Sequence, residues 1–271
     1  MTALEGRVAV VTGASRGIGQ RIAERLAAEG AAVALVARTE AAGTAALPGS
    51  LDEVVAGIEA AGGRAVAVPA DLSDPAQVET IVARATDALG PVDTLVNNAG
   101  VNFYGPALEV SERRYALMFQ IMVHASFRLC QLAVPSMVER GRGWVVNVTS
   151  KQARHPQGPP YPGWAADGSV AYGMCKAAID RLSTGLAAEV HGTGVAVNAL
   201  GTSALVLTPG VRVVSPHTPE NTPVEPDTAM ADAALELCRA PAGTVTGRVA
   251  YSMELLGRPM PDGPWALSAT F

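Results

Sequence analysis

The chain has 271 residues, 49% of them hydrophobic and 17% charged, with a formal net charge of −5. That balance excludes a disordered chain and a basic nucleic-acid-binding surface, and the length suits one large domain with a substantial core. Cys130, Cys175 and Cys238 are scattered without metal spacing, and His124, His155, His191 and His217 do not cluster, so no metal is expected. The opening residues lack a charged segment followed by a long apolar run, and no stretch reads as a membrane span. The expectation is a soluble cytoplasmic protein with buried thiols in a reducing compartment and no membrane partner.

In chain order, residues 7–12 form a short apolar run that leads into Thr12-Gly-Ala-Ser-Arg-Gly-Ile-Gly19, followed by helical spacing over 18–29. Glycines 13, 17 and 19 permit a tight turn and bring backbone N–H groups to a pyrophosphate, with the helix N-terminus adding a favourable dipole. Gly13, Ser15, Arg16, Gly17, Ile18 and Gly19 are therefore candidate cofactor-binding residues, in the spacing G-x-x-x-G-x-G. A second strand over 32–37 ends at Ala37-Arg38, with no carboxylate before Glu40. An NAD-preferring site carries an acidic residue there, whereas the guanidinium forks of Arg16 and Arg38 suit a 2′-phosphate, so NADP(H) is favoured over NAD(H).

Strands are further expected at 65–69, 93–97, 144–149 and 194–199, and helices at 51–61, 76–89, 113–139 and 171–191. This alternation predicts an α/β fold, a Rossmann-like doubly wound parallel sheet in a single domain over 1–271. Two proline-rich stretches, 155–169 and 203–227, interrupt the rhythm after strands. In such sheets the loops at the carboxyl ends of strands line the ligand crevice, so both are candidate substrate loops, with surface insertion as the alternative.

The chain holds only two lysines, and Lys176 lies four residues after Tyr172. On a helix the two share a face, and a neighbouring positive charge favours the phenolate, which makes the phenol a usable proton donor near neutral pH.

Thr12–Gly19, Asp71-Leu72, Asn97-Asn-Ala-Gly100, Ser150 and Tyr172-x-x-x-Lys176 stand in the order and spacing of the short-chain dehydrogenase/reductase family, which the chain resembles to about residue 208. The resemblance implies that Tyr172 exchanges a proton with the substrate oxygen, that Lys176 lowers its pKa and holds the nicotinamide ribose, and that Ser150 hydrogen-bonds the carbonyl or alcohol. It also implies that Asp71 and Leu72 flank the adenine and that Asn98, Ala99 and Gly100 line the cofactor cleft. A homo-oligomer, dimer or tetramer, is implied along helices 113–139 and 171–191. A weaker likeness around Leu47-Pro-Gly-Ser-Leu points to a hydroxysteroid-dehydrogenase-like branch.

Three departures stand out. The asparagine usual thirteen residues before Pro135 is replaced by Met122. The Pro-Gly usual after strand six reads Thr202-Ser203, though Thr208 matches, and Thr202 and Thr208 are candidate cofactor contacts. The connection from Ser150 to Tyr172 is longer than usual and carries the proline-rich stretch. The leading expectation is an NADP(H)-dependent carbonyl reductase or alcohol dehydrogenase, with Phe103, Tyr104, Trp164 and Met174 making an apolar pocket for a small-molecule substrate. The alternatives are reduction of an activated C=C bond, lyase chemistry, and a cofactor-binding sensor or scaffold with little catalysis.

Overall fold

Six short, bounded apolar runs become six strands, because segments of this kind bury on both faces only when helices cover both sides. A computed structural model describes residues 2–43, 47–161, 167–214 and 222–260. The strands are β1 (Val8–Thr12), β2 (Ala32–Ala37), β3 (Arg64–Pro69), β4 (Thr94–Asn97), β5 (Gly143–Val148) and β6 (Val195–Gly201), joined by a seventh, β7 (Val249–Tyr251), which the sequence reading did not foresee. All pair in parallel in the order β3-β2-β1-β4-β5-β6-β7. The order reverses between β1 and β4, and it is at such a switch point, beyond the carboxyl ends of the strands, that ligands bind.

The helices are α1 (Gly17–Ala28), α2 (Leu51–Ala60), α3 (Pro75–Leu89), α4 (Glu112–Phe119), α5 (Ala125–Glu139), α6 (Val170–Glu189), α7 (Pro209–Val214), α8 (Asp227–Arg239) and the short α9 (Ser252–Leu255). Side chains alternate across each strand, so β1 sends Ala9 and Val11 to one core and Val8 and Val10 to the other. The first core holds Ile22 and Leu26 of α1, Val54 of α2, and Met230 and Leu237 of α8. The second holds Ile81 of α3, Leu129 and Met137 of α5, and Val190 just after α6. A buried chain of hydrogen bonds locks the middle of the sheet to α6: Asn97 donates to Asn147 at 2.8 Å, Asn147 to Ser183 at 2.9 Å, and Ser183 to the Ile179 carbonyl at 2.8 Å.

The structure corrects three expectations. The helix expected over 113–139 is interrupted by a π-helical turn at Gln120–His124, which joins α4 to α5. That continuous helix is long and apolar enough to cross a membrane, contrary to the reading that no stretch is. One face of it packs into the protein's own interior, where Met118, Met122, Leu129 and Met137 are fully buried, while Tyr115 and Phe127 on the other face are exposed. The stretch 203–227 is partly structured: Leu205 and Val224 form a parallel bridge and α7 lies between them. His217, Pro216 and Pro219 of that stretch, Pro162 and Trp164 of the other, and Trp265, Leu267 and Phe271 of the C-terminal tail lie outside the described residues.

Candidate active site

The glycine loop is held to the end of β4 by two side chains. Asn98 donates its amide to the Thr12 carbonyl at 2.8 Å and the Gly13 carbonyl at 3.4 Å, while Thr12 Oγ1 accepts from the Asn98 and Ala99 amides at 2.9 and 3.1 Å. The packing leaves no room for side chains: a Cβ at Gly19 would lie 2.3 Å from the Gly13 carbonyl oxygen, and one at Gly13 2.9 Å from Ala99 Cα. Gly13 and Gly17 also adopt φ of 68° and 58°, a region that glycine enters without strain. The N-terminus of α1 carries no capping side chain and no acidic residue in its first turn, whereas α2 is capped by Ser50 and α3 by Asp74. Its N–H groups and positive dipole end are left for an anion. Ser15 is buried beside them, and Ile18 packs on the first core.

At the other end of this cleft, two guanidinium groups flank the end of β2. Arg16 donates to the Gly49 carbonyl at 2.7 Å and to Thr39 at 3.3 Å, and its Nε is buried without a partner. Burial and the neighbouring charge of Arg38 both hold the Arg16 pKa below the usual arginine value. Arg38 is exposed, with Asp71 3.9 Å away. Asp71 Oδ1 accepts from the Ser73 amide and hydroxyl, both at 2.8 Å, and Leu72 is buried. The donor set is basic, planar and without a carboxylate on β2 itself, which fits a phosphate-bearing ribose.

Ser150 follows β5 and begins a single 3-10 turn, Lys151–Ala153, that packs against the start of α6. The packing is close: a Cβ at Gly173 would lie 2.5 Å from the Gln152 carbonyl oxygen. This brings the Ser150 hydroxyl near enough to the Tyr172 phenol to oppose the rise in its pKa. Lys176, one turn further along α6 and 3% exposed, has its Nζ 5.5 Å from the Tyr172 ring centre and donates to the Val148 carbonyl at 2.7 Å. The structure corrects the expected electrostatics. Burial dominates at Tyr172 and pushes the phenol above its ordinary value, with the nearby Tyr104 adding to the rise and the Ser150 hydroxyl opposing it. Burial likewise lowers Lys176 to about 8, opposed by Cys175 and Asp180. Asp180, one turn beyond Lys176, is a group the sequence reading missed. Burial raises its pKa against the Thr149 hydroxyl and the charges of Lys176 and Arg154, and its Oδ1 has no partner. Spacing from Lys176 was the signal that could have found it.

These shifts carry a pH dependence. Lys176 has a lower pKa folded than unfolded, so between about pH 8 and 10.5 the unfolded chain binds more protons there. Stability from this group therefore rises with pH across that window and is lower below it. Tyr172 has the opposite sign and lowers stability above about pH 10, where the unfolded phenol ionises first. Denaturant unfolding of wild type and Lys176→Met between pH 7.5 and 9.5 is expected to show a positive slope difference that the variant lacks. Parallel curves would contradict the assignment.

Met122 occupies the π-helical turn and is 1% exposed. It belongs to a small apolar cluster with Met118, Ala171 and Cys175, against which Phe103 and Tyr172 pack, and its Sδ lies 3.6 Å from where a Gly100 Cβ would stand. Met122→Asn is expected to lower stability by about 1–3 kcal/mol, because it buries a carboxamide in this apolar cluster. Thermal melting checks this, and an unchanged Tm would reveal a hydrated channel.

On the far side of the site, Thr202 follows β6, and the next residues are anchored by a carboxylate that sequence reasoning did not single out. Glu225, 2% exposed, accepts from the Ser203 amide at 2.9 Å, the Ala204 amide at 3.1 Å and the Ser252 hydroxyl at 2.8 Å. Thr208 Oγ1 accepts from the Val211 amide at 3.2 Å and thereby caps α7, while its side chain stands 3.2 Å from where a Gly17 Cβ would be. The expected apolar pocket is only partly assembled. Phe103 packs on the Met122 cluster, but Met174 points into a separate groove of about 360 Å³ with Tyr115, Val110 and Val170.

The short chain dehydrogenase family model matches residues 7–218. Ketoacyl reductase HetN of Nostoc is 34% identical over 200 residues, which cover 74% of this chain and 64% of that protein, so under two thirds of its length is matched. A metagenomic short-chain oxidoreductase solved with NADP is 28% identical, with a TM-score of 0.75 over 96% of this chain and all of the other. The blue fluorescent protein from a metagenomic library, solved with NADPH, is 31% identical with a TM-score of 0.78 over 97% and 99%. The chain belongs to the short-chain dehydrogenase/reductase family.

Proposed function

We propose that the protein is an NADP(H)-dependent oxidoreductase that interconverts a ketone or aldehyde and an alcohol. The observation that carries this reading is the buried Lys176, its Nζ 5.5 Å from the Tyr172 ring centre one turn away on α6, beside Ser150 at the carboxyl end of β5. Arg16 and Arg38 would hold the 2′-phosphate, the α1 N-terminus the pyrophosphate, and Thr202 and Thr208 the nicotinamide end. The bound cofactor supplies or accepts the hydride. Ser150 orients the substrate oxygen and Tyr172 gives or takes its proton. Lys176, whose position is fixed by the Val148 carbonyl, stabilises negative charge developing on the phenol oxygen. Two family members solved with NADP or NADPH support the cofactor.

Oligomerisation fits the apolar groove between α4 and α6, whose rim exposes Tyr115, Val170 and Met174. A cytoplasmic setting fits three buried, unpaired cysteines.

A second reading, a cofactor-binding sensor or scaffold, draws on Met122, which closes with apolar atoms a position that in the family carries a polar group. NADPH consumption against a panel of ketones and aldehydes, with NADH as control, separates the two. Turnover that prefers NADPH supports the reductase. Tight NADPH binding without turnover on any member of the panel supports the sensor.

A further inference from the structure

The last strand reaches back to the turn that carries Ser150. The chain leaves the sheet at Thr149, whose amide donates to the Leu200 carbonyl of β6 at 2.9 Å. Ser150 lies one residue beyond, and its hydroxyl caps the Lys151–Ala153 turn. Ser150 Oγ accepts from the Gln152 amide at 3.3 Å, and the Ser150 carbonyl accepts from the Ala153 amide at 3.0 Å. The direction of this hydroxyl is therefore set by the turn, and a turn that shifts carries the oxygen with it.

Two elements grip that turn. From α6, Gly173 sits so close to the Gln152 carbonyl that no Cβ would fit. From β7 comes Tyr251, which is buried and pairs in register with Gly201 of β6. Its ring lies across that glycine: a Cβ at Gly201 would be 2.9 Å from the ring and 3.3 Å from Thr149 Cγ2. The ring thus spans β6 to reach the residue before Ser150. Arg154, just past the turn, donates its Nε to the Tyr251 hydroxyl at 3.2 Å, the one hydrogen bond of its side chain among the described residues. Its guanidinium carbon stands 4.3 Å from the ring centre, and Lys151 Nζ stands 5.8 Å from the same centre. A cation from each end of the turn converges on one ring, whose face attracts positive charge, more so where water is excluded.

We propose that Tyr251 is a positioning residue for Ser150: through Arg154 and Lys151 it clamps the turn against the end of the sheet and so aims the serine hydroxyl at the substrate oxygen. This rests on the carbonyl-reductase reading above. Tyr251 transfers neither proton nor hydride. The glycine loop is tied to β4 by Thr12 and Asn98, two strands away from β6, so cofactor binding does not depend on the clamp. Loss of the clamp therefore strikes the chemical step and spares NADPH binding.

The test measures kcat for cyclohexanone reduction and KM for NADPH in wild type, Tyr251→Phe, Arg154→Ala and the double variant, with thermal melting beside them. Tyr251→Phe keeps the ring on Gly201 and removes the bond to Arg154, and is expected to lower kcat about 5-fold. Arg154→Ala removes the bond and the stacked cation together, and is expected to lower kcat about 10-fold or more. In both, NADPH KM is expected to stay within about 2-fold of wild type. Because Tyr251 acts through Arg154, adding Tyr251→Phe to Arg154→Ala is expected to change kcat by less than about 2-fold. Unchanged kcat in Tyr251→Phe, with or without a lower Tm, reduces the residue to a packing role and overturns the proposal. Additive losses in the double variant, or a rise in NADPH KM that matches the fall in kcat, overturn it as well. Absence of NADPH-dependent turnover in the wild type on cyclohexanone and on the wider panel instead overturns the reductase reading, and this inference with it.

Discussion

Tyr172→Phe is expected to lower kcat/KM for ketone reduction by about 10²–10⁴-fold, the usual contribution of a positioned general acid, with NADPH affinity nearly unchanged. The Tyr172 ring packs against the Met122 cluster, so phenylalanine keeps the packing and removes only the hydroxyl. The pH profile sharpens the expectation. Burial holds Lys176 near pH 8, so its positive charge beside Tyr172 declines above that pH. Wild-type kcat/KM for NADPH, which reports the enzyme before the cofactor binds, is expected to fall on an alkaline limb near pH 8. Asp180→Asn, which removes a charge that raises Lys176, is expected to move that limb to lower pH. Steady-state rates from pH 6 to 10 measure both. Retention of wild-type turnover in Tyr172→Phe would remove the phenol from the mechanism.

Arg38→Ala is expected to lower kcat/KM for NADPH about 10- to 100-fold and to leave NADH within about 2-fold, since a hydrogen bond to a charged group contributes about 1.5–3 kcal/mol. Arg38 suits this test because its side chain is exposed and its one ion pair among the described residues is with Asp71, at 3.9 Å. Arg16 does not, because it also holds the Gly49 carbonyl and its loss would disturb the loop itself. The NADPH penalty is expected to shrink at high ionic strength, as exposed charges are screened. Equal effects on the two cofactors would assign Arg38 to loop structure and leave the 2′-phosphate to another group.

Much of the fold was legible because parallel strands and their helices each carry a strong local pattern. The strand residues 32–37 and the helix start at Leu51 agree with their structural bounds. β7 escaped notice because three residues make no period, and α8 because its alanine-rich face follows the last motif that anchored the reading. In the site, the glycine loop, Ser150, Tyr172 and Lys176 were legible as motifs. Glu225 was not, since it owes its role to Ser203, Ala204 and Ser252, all distant in sequence.

The sequence by itself determined the strands β1 to β6 and the helices between them, their parallel alternation, and the motif side chains that follow those strands. Periodicity and fixed motif spacings act over a few residues, so they survive without knowledge of the rest of the chain. Only the tertiary structure decided the electrostatics and the shape of the pocket. A phenol beside a lysine reads as acidified in sequence, but both groups are buried, and desolvation is the largest cause of the shift in each. Met174, two residues from Tyr172, turns away from it because successive positions on a helix diverge in direction, while Tyr251, far from Arg154 in sequence, arrives beside it. Burial and long-range approach depend on the packing of whole elements, which no local pattern encodes.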